Sequence, residues 1–396
     1  MAASSDLAAR VGEFLAEHDP AATDPQEWLD ARYDAGLAWV HFPEGHGGLG
    51  LPQEAQSEVN RLFAEAGAPD NRSTTNGIGL GMAAPTILAF GTEEQKQRFL
   101  KPLWTGREIW CQLFSEPGAG SDLAAIGTRA VRDGDAWVVN GQKVWTSGAH
   151  NASRAILVAR TDPDVPKHGG LTYFLCDMTD PGVEVRPLRQ ITGEAEFNEV
   201  FLTDVRIPDA DRLGAEGEGW KVANATLNNE RVAIGGRAMP RESGMVGVVA
   251  QTWRDHPERR TPELHDRLMR LWVESEVARL TGSRLRQKLA QGQPGPEGAA
   301  MKLSFARLAQ QLSGLELELL GEEGLRYSSE PGWEMVRPDV VDFTGRDAVY
   351  RYLRAKGNSI EGGTSEILRN VVAERVLGLP AERREDKDIP WKELPK

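Results

Sequence analysis

Cysteine is scarce: Cys111 and Cys176 are the only two among 396 residues, so a disulfide framework is not the design. The cysteines and seven histidines show no zinc-ligand spacing, which argues against a metal centre. No run reaches the roughly 18 apolar residues that a membrane helix needs. The opening MAASSDLAARVGEFLAEHDP lacks both the basic start and the apolar core of a secretory leader. A soluble, cytoplasmic protein is expected. Positive charge is also short: 59 acidic against 46 basic side chains give a formal charge of -13, which repels phosphate backbones and anionic bilayers. Partners of those two classes are disfavoured. What remains is a chain with 40% apolar residues, long enough for two or three domains with real cores.

Residues 1–108 read as a helical domain, because DLAARVGEFLAEH and PQEWLDARYDAGLAWV repeat apolar residues three and four apart. Thr92, with Gln95 three residues on, predicts a capping box opening EEQKQRFLKPLW, and Gly106 marks its stop. The texture changes near Ile109. TRAVRDGDAWVVNGQKVWTS predicts short strands punctuated by Asp133-Gly134 and Asn140-Gly141, dipeptides that favour tight hairpin turns. SRAILVAR, LTYFLCDM, VEVRPL and EVFLTDVRIP continue an antiparallel meander, which predicts a β domain over 109–212. Helical periodicity then resumes over 213–380, broken by QGQPGPEG as a turn between two long helices. A charged tail, 381–396, is expected to be a surface segment. The fold class is α+β, in the order helices, strands, helices.

Two glycine-rich stretches lack the context of nucleotide loops. Gly77-Ile-Gly-Leu-Gly81 has no preceding strand and no acidic residue at ribose distance, so it reads as helix packing or a turn. FPEGHGGLG, 42–50, lacks the Lys-Ser/Thr of a phosphate loop and reads as a surface loop, with His41 and His46 as local hydrogen-bonding residues. FSEPGAGSD, 114–122, differs. It leaves a strand through a compact turn that exposes backbone N–H groups and the hydroxyls of Ser115 and Ser121, able to cradle a polar ring edge or a phosphate. The bland alternative is a turn whose Ser and Asp satisfy their own backbone.

FSEPGAGSDLA, then NGQKVWTSGA, FNEVFLTDVRIP and IEGGTSEILRNVVAERVLGLP, together resemble the acyl-CoA dehydrogenase family, as do the upstream FPEGHGGLGL and AFGTEEQKQRFLKPL. Ordered motifs spread across the chain make this more specific than any one glycine pattern. The resemblance implies an N-terminal helical domain, a middle β domain and a C-terminal four-helix bundle, with FAD between the last two. It implies a flavoprotein of β-oxidation that turns an acyl-CoA into a 2,3-enoyl-CoA and passes electrons to an electron-transfer flavoprotein. It further implies that Gln112, Ser115, Gly120 and Ser121 line the isoalloxazine edge, with Ser121 also facing the CoA arm. Trp145 would lie against the flavin, Ser147 near its N5, and Thr364 and Glu366 would also contact the cofactor. Hydroxyl and amide donors there stabilise charge on the reduced ring.

Such a reaction needs a carboxylate to take the α-proton. In many members it directly precedes the Gly-Thr of the last motif; that position is Gly362 here, and Glu361 stands one residue too early. The isovaleryl and long-chain types instead carry it on a bundle helix before an arginine, as Asn229-Glu230-Arg231 does. Glu230 lies three residues past Leu227 and four before Ile234, on the apolar stripe, so desolvation is expected to raise its pKa. Glu230 is therefore the expected base and Arg231 a substrate-orienting residue. The resemblance also gives the Gly362 N–H and a ribityl hydroxyl as the pair that polarises the thioester carbonyl. A base on this helix accompanies branched or bulky acyl groups in the family.

Two family features are missing. The Arg-x-x-Phe-Gly motif is replaced by RDHPERRTPELHDR, and Glu318 stands where a glutamine is usual. Both normally serve a neighbouring subunit's FAD, and a carboxylate beside a pyrophosphate repels it. This predicts either a homo-oligomer or a heteromer with a second acyl-CoA dehydrogenase-like chain that supplies the missing contacts. The competing functions are a flavin monooxygenase or oxidase on the same fold, and a non-catalytic partner subunit; retention of Trp145, Ser147 and Glu230 argues against the latter.

Overall fold

Thr92 caps its helix as its spacing predicts. Its hydroxyl accepts from the Gln95 N–H at 3.3 Å, while the Gln95 side chain accepts from the Thr92 N–H at 3.0 Å. The same glutamine reaches out of the helix to donate to the carbonyls of Ala210 and Arg212 at 2.6 and 2.9 Å, tying the helical layer to the end of the sheet. The computed structural model describes residues 2–71, 75–235, 240–290, 297–327, 346–383 and 386–395; the side chains of 2–5, 228–235, 289–290 and 297 lie outside the described residues, as do 291–296 of the expected QGQPGPEG turn.

The first layer comprises α1 (Ala2–Glu17), α2 (Pro25–Asp34), α3 (Ala55–Glu65), α4 (Ala84–Phe90) and α5 (Glu93–Trp104). The Gly77–Gly81 stretch feeds a π-helical turn, Gly79–Ala83, just ahead of α4. Residues 42–50 are not a simple surface loop. Backbone bonds from Leu49 and Leu51 to Val40, and from Gly50 to Phe42, fold it onto the core, and His46 is buried. Buried Asn76 links α5 to the sheet: its amide donates to the Leu103 carbonyl at 2.9 Å and accepts from the Trp110 N–H at 2.9 Å.

The sheet comprises β1 (Trp110–Leu113), β2 (Arg129–Asp133), β3 (Ala136–Ser147), β4 (Arg154–Arg160), β5 (Leu171–Asp177), β6 (Val183–Pro187), β7 (Phe197–Pro208) and β8 (Arg212–Leu213). Its order is β6-β7-β3-β2-β4-β5-β8, with β1 joining β4 in parallel and most other pairs antiparallel. Asp133-Gly134 makes the predicted β2–β3 turn. Asn140-Gly141 does not turn: β3 runs through it, with a register shift against β7 between Val139 and Gly141. Gly141 is needed there because an added Cβ would fall 2.3 Å from the Thr128 hydroxyl, and Asn140 is bound by Asp204 of β7 at 2.9 Å. Pairing with a long neighbour overrides the local turn preference.

The C-terminal part comprises α6 (Gly219–Gly235), α7 (Met245–Asp255), α8 (Pro262–Ala290), α9 (Glu297–Leu320), α10 (Ala348–Ala355) and α11 (Ser365–Val371). Val246, Val249, Leu268, Leu271, Leu308, Leu312, Leu315 and Leu319 form a shared core of α7, α8 and α9. The α6 helix is locked to the rest by buried hydroxyls: Thr226 lies 3.0 Å from both Thr86 of α4 and Tyr173 of β5. Among the described residues no helix is long and apolar enough to cross a membrane. The tail lies at the surface as expected, with residues 386–395 docked on the β domain.

Candidate active site

At one end of the sheet, the turn that follows β1 lies beside the end of β3. The Val144 N–H donates to the Ser115 carbonyl at 2.9 Å, so Ser115 and Trp145 share one edge. Here β3 breaks register against β7 between Lys143 and Thr146, and Trp145 adopts φ 61°, a left-handed conformation rare for a bulky residue. Its indole is 62% exposed, so it is not a core tryptophan of the sheet. Gln112, Ser115 and Ser147 are half-buried, and Gly120 and Ser121 are exposed. An added Cβ at Gly118 or Gly120 would meet nothing, so this side of the turn is open.

Sequence reasoning missed what holds the turn. Lys143 is fully buried, and its ammonium donates to Glu116 at 2.8 Å, to the Phe114 carbonyl at 3.0 Å and to the Val158 carbonyl at 2.9 Å. Glu116 also accepts from the N–H groups of Gly127 and Thr128 at 2.7 and 2.9 Å. Burial by itself raises the Glu116 carboxyl, but Lys143 and these donors outweigh it and leave the pKa below its ordinary value. Burial likewise depresses Lys143, with Glu116 opposing that shift. The available signal was a lysine at an inward position of a strand, a place it occupies only when paired.

The last motif forms a second half. Gly362 and Gly363 have φ of 59° and 95°, conformations that glycine takes freely. Lys302 of α9 donates to the carbonyls of Asn358 and Gly363 at 2.7 and 2.8 Å. Thr364 caps α11 by accepting from the Ile367 N–H at 3.3 Å, and exposed Glu366 pairs with Arg369. Glu361 is bound through both oxygens by Arg354, at 3.0 and 2.8 Å. Burial depresses the guanidinium, but Glu361 and nearby Glu196 outweigh it and raise its pKa.

Glu196 stands at the edge of the first half. Its carbonyl accepts from the Gly148 N–H at 2.9 Å, just past Ser147, and its negative charge helps keep the Arg354 guanidinium protonated. Asn198 secures the same edge by donating to the Thr146 and Glu196 carbonyls, each at 3.0 Å. Glu194 adds an interdomain contact, accepting from the Tyr350 hydroxyl at 2.8 Å. Position 230 falls one turn past Thr226 on α6. The side chains of Glu230 and Arg231 lie outside the described residues.

An exposed aromatic plane, hydroxyls and an open glycine turn thus lie together at one end of the sheet, as the candidate site. The chain belongs to the acyl-CoA dehydrogenase family: the sequence models "Acyl-CoA dehydrogenase, N-terminal domain", "middle domain" and "C-terminal domain" match residues 3–107, 111–205 and 217–377. It is similar to acyl-CoA dehydrogenase IpdE1 of Mycobacterium tuberculosis, 40% identical over 94% of both chains. It is 41% identical to FadE34 of the same organism over 95% of this chain, which spans 48% of that longer protein. Among solved structures, the Tcur3481-Tcur3483 steroid ACAD superposes with a TM-score of 0.70 at 26% identity, covering 96% of this chain and 99% of that one. The ChsE4-ChsE5 complex from Mycobacterium tuberculosis gives 0.69 at 28% identity, covering 96% and 97%.

Proposed function

We propose that this chain binds FAD and dehydrogenates a bulky, polycyclic acyl-CoA between Cα and Cβ, releasing a 2,3-enoyl-CoA, with an electron-transfer flavoprotein as the onward acceptor. The observation that carries this reading is the exposed Trp145 plane beside Ser147 and the open Gly118–Gly120 turn. Those residues fit a flat ring with a polar edge: Trp145 supplies stacking area, and Ser115, Ser147 and the turn's N–H groups supply donors. Bound there, FAD would supply the acceptor for the β-hydride displaced as the α-proton is removed. Gln112, Gly120, Ser121, Thr364 and Glu366 complete the proposed cofactor contacts. The N–H of Gly362, presented by its turn, would polarise the thioester carbonyl.

Glu230 is the proposed base and Arg231 its substrate-orienting neighbour. Position 230 follows Thr226 by one turn, on a helix whose Thr226 face is anchored in the interior. Replacing Glu230 by Gln removes the proton acceptor with little change in volume. Turnover is expected to fall about 10²- to 10⁴-fold with FAD binding retained, and unchanged turnover removes Glu230 from the mechanism. The steroid class is supported by the likeness to the Tcur3481-Tcur3483 steroid ACAD. The working division is 1–108, 109–212 and 213–380, with 381–396 as the tail, in a cytoplasmic enzyme of stepwise acyl-chain breakdown.

A heteromer with a second acyl-CoA dehydrogenase-like chain is favoured over a homo-oligomer by Glu318. Its carboxylate is held by Arg267 at 2.5 and 2.9 Å on the surface, where the family usually offers a glutamine to a neighbour's cofactor. On α8, Met269, Val273, Val277 and Leu280 form an exposed apolar stripe, each more than 40% exposed, a face suited to a partner helix. Weak FAD retention by the isolated chain, rising when the second chain is co-expressed, is the expected result; tight, full occupancy in the isolated protein contradicts it.

A further inference from the structure

The charged segment 386–395 docks on the β domain beside residues 122–127, which follow Ser121. The Trp391 and Lys392 N–H groups donate to the carbonyls of Val165 and Pro163 at 2.9 and 3.1 Å, and Pro390 bridges Pro166, laying the tail along a loop of the β domain. The Trp391 indole N–H donates to the Ala125 carbonyl at 3.1 Å. Its ring lies 4.4 Å from the Arg160 guanidinium, a cation–π contact. Arg160, itself buried, donates to the carbonyls of Ala124, Ile126 and Lys167 at 2.6, 3.1 and 3.2 Å. Gly127 faces the same ring, and an added Cβ there would stand 3.7 Å from it.

Lys167 makes the second attachment. Its side chain is only 6% exposed, and its ammonium is shared between Asp122, 2.6 Å away, and Asp386 of the tail, 2.5 Å away. Asp122 is the residue after Ser121. The segment Pro117–Ser121, exposed except for Ala119, is thus flanked at one end by the Lys143–Glu116 pair and at the other by the Lys167 and Trp391 contacts.

We propose that residues 386–394 act as a clasp that positions the Ser121 turn, with Trp391 and Lys167 as positioning residues for the binding of the thioester's CoA arm. This rests on the reading of that turn as a substrate-facing element. A turn ordered before binding loses less conformational entropy when the ligand arrives, so the clasp acts on affinity more than on the chemical step. Asp386 adds a second carboxylate to a buried cation, which makes the attachment electrostatic as well as apolar. The exposed Lys392–Asp164 pair contributes little by comparison.

The test is amide hydrogen exchange on the full-length protein, its Trp391→Ala and Trp391→Phe variants, and a chain ending at Pro380. Amides of 118–127 are expected to exchange roughly tenfold faster in Trp391→Ala and in the shortened chain, with those of α8 and α9 unchanged. Trp391→Phe keeps the ring over Arg160 and is expected to restore much of the protection. Unaltered exchange over 118–127 in both disrupted proteins overturns the clasp, as does a speeding spread evenly over every helix. The substrate reading fails separately. In FAD-loaded protein, Trp391→Ala is expected to raise the acyl-CoA KM several-fold with kcat within about twofold. Faster exchange with KM unchanged leaves the clasp standing and removes the Ser121 turn from substrate binding.

Discussion

Arg354 grips Glu361 through both carboxylate oxygens, at 3.0 and 2.8 Å, and is itself 7% exposed. Both Glu361 oxygens are engaged by one guanidinium, so the side chain is held against Arg354 and would have to give up a hydrogen bond to reach a substrate. The pair instead fixes the turn whose next residue is Gly362. A positioning role for Glu361, with proton transfer left to Glu230, is the expectation that this geometry supports.

Glu361→Gln tests this. The variant keeps one hydrogen bond to Arg354 and is expected to retain kcat within about tenfold, in contrast to Glu230→Gln. Steady-state turnover of both variants at saturating acyl-CoA checks the order. A deeper loss in Glu361→Gln than in Glu230→Gln reverses the assignment.

Lys143 is the anchor of the Ser115 turn, and its replacement should be felt in stability and in cofactor retention together. Lys143→Met leaves Glu116, whose side chain is 11% exposed, without its cation. The expected cost is about 3 kcal/mol in urea unfolding, with weaker FAD retention. Adding Glu116→Gln to Lys143→Met should recover part of the stability, because no buried charge is then left uncompensated. A double variant less stable than Lys143→Met contradicts the pairing.

Asp209 supplies a pH test of the β domain. Arg212 and Trp137 donate to its carboxylate, each at 2.8 Å, and these bonds draw its pKa down to about 2. With the folded value depressed, the stabilisation is present above the unfolded carboxyl pKa of about 4 and is lost as pH falls through the folded value. Asp209→Asn is expected to destabilise at neutral pH by about 1 kcal/mol, the group being partly exposed, and the difference from wild type should shrink in acid. An equal difference at neutral and strongly acidic pH removes this carboxylate from the acid response.

The sequence made the broad order of helices, strands and helices readable because hydrophobic period switches sharply near Ile109 and again after Trp220, and the Thr92–Gln95 capping box is a local code. Asn140-Gly141 misled because a dipeptide preference is local, whereas the strand through it is stabilised by pairing with β7 from another part of the chain. Trp145 was legible as a motif residue, but its left-handed backbone and exposure depend on the register shift that follows Lys143. The Arg354–Glu361 pair and the docking of Trp391 on Arg160 join residues whose partners no local pattern specifies. A tail rich in charge reads as solvated until the carbonyls and buried cations that receive it are in view.

The Trp145 edge and the Gly362 turn are the proposed site of a flavin-dependent thioester dehydrogenation. Anaerobic titration of the FAD-loaded protein, together with its partner chain if that chain is needed for loading, with steroid, branched and straight acyl-CoAs tests it most directly. The oxidised-flavin absorbance should disappear on adding a steroid acyl-CoA, with straight-chain thioesters less effective. Protein that holds FAD yet keeps that band with every thioester would contradict the account and favour an oxygen-using flavoenzyme on the same fold.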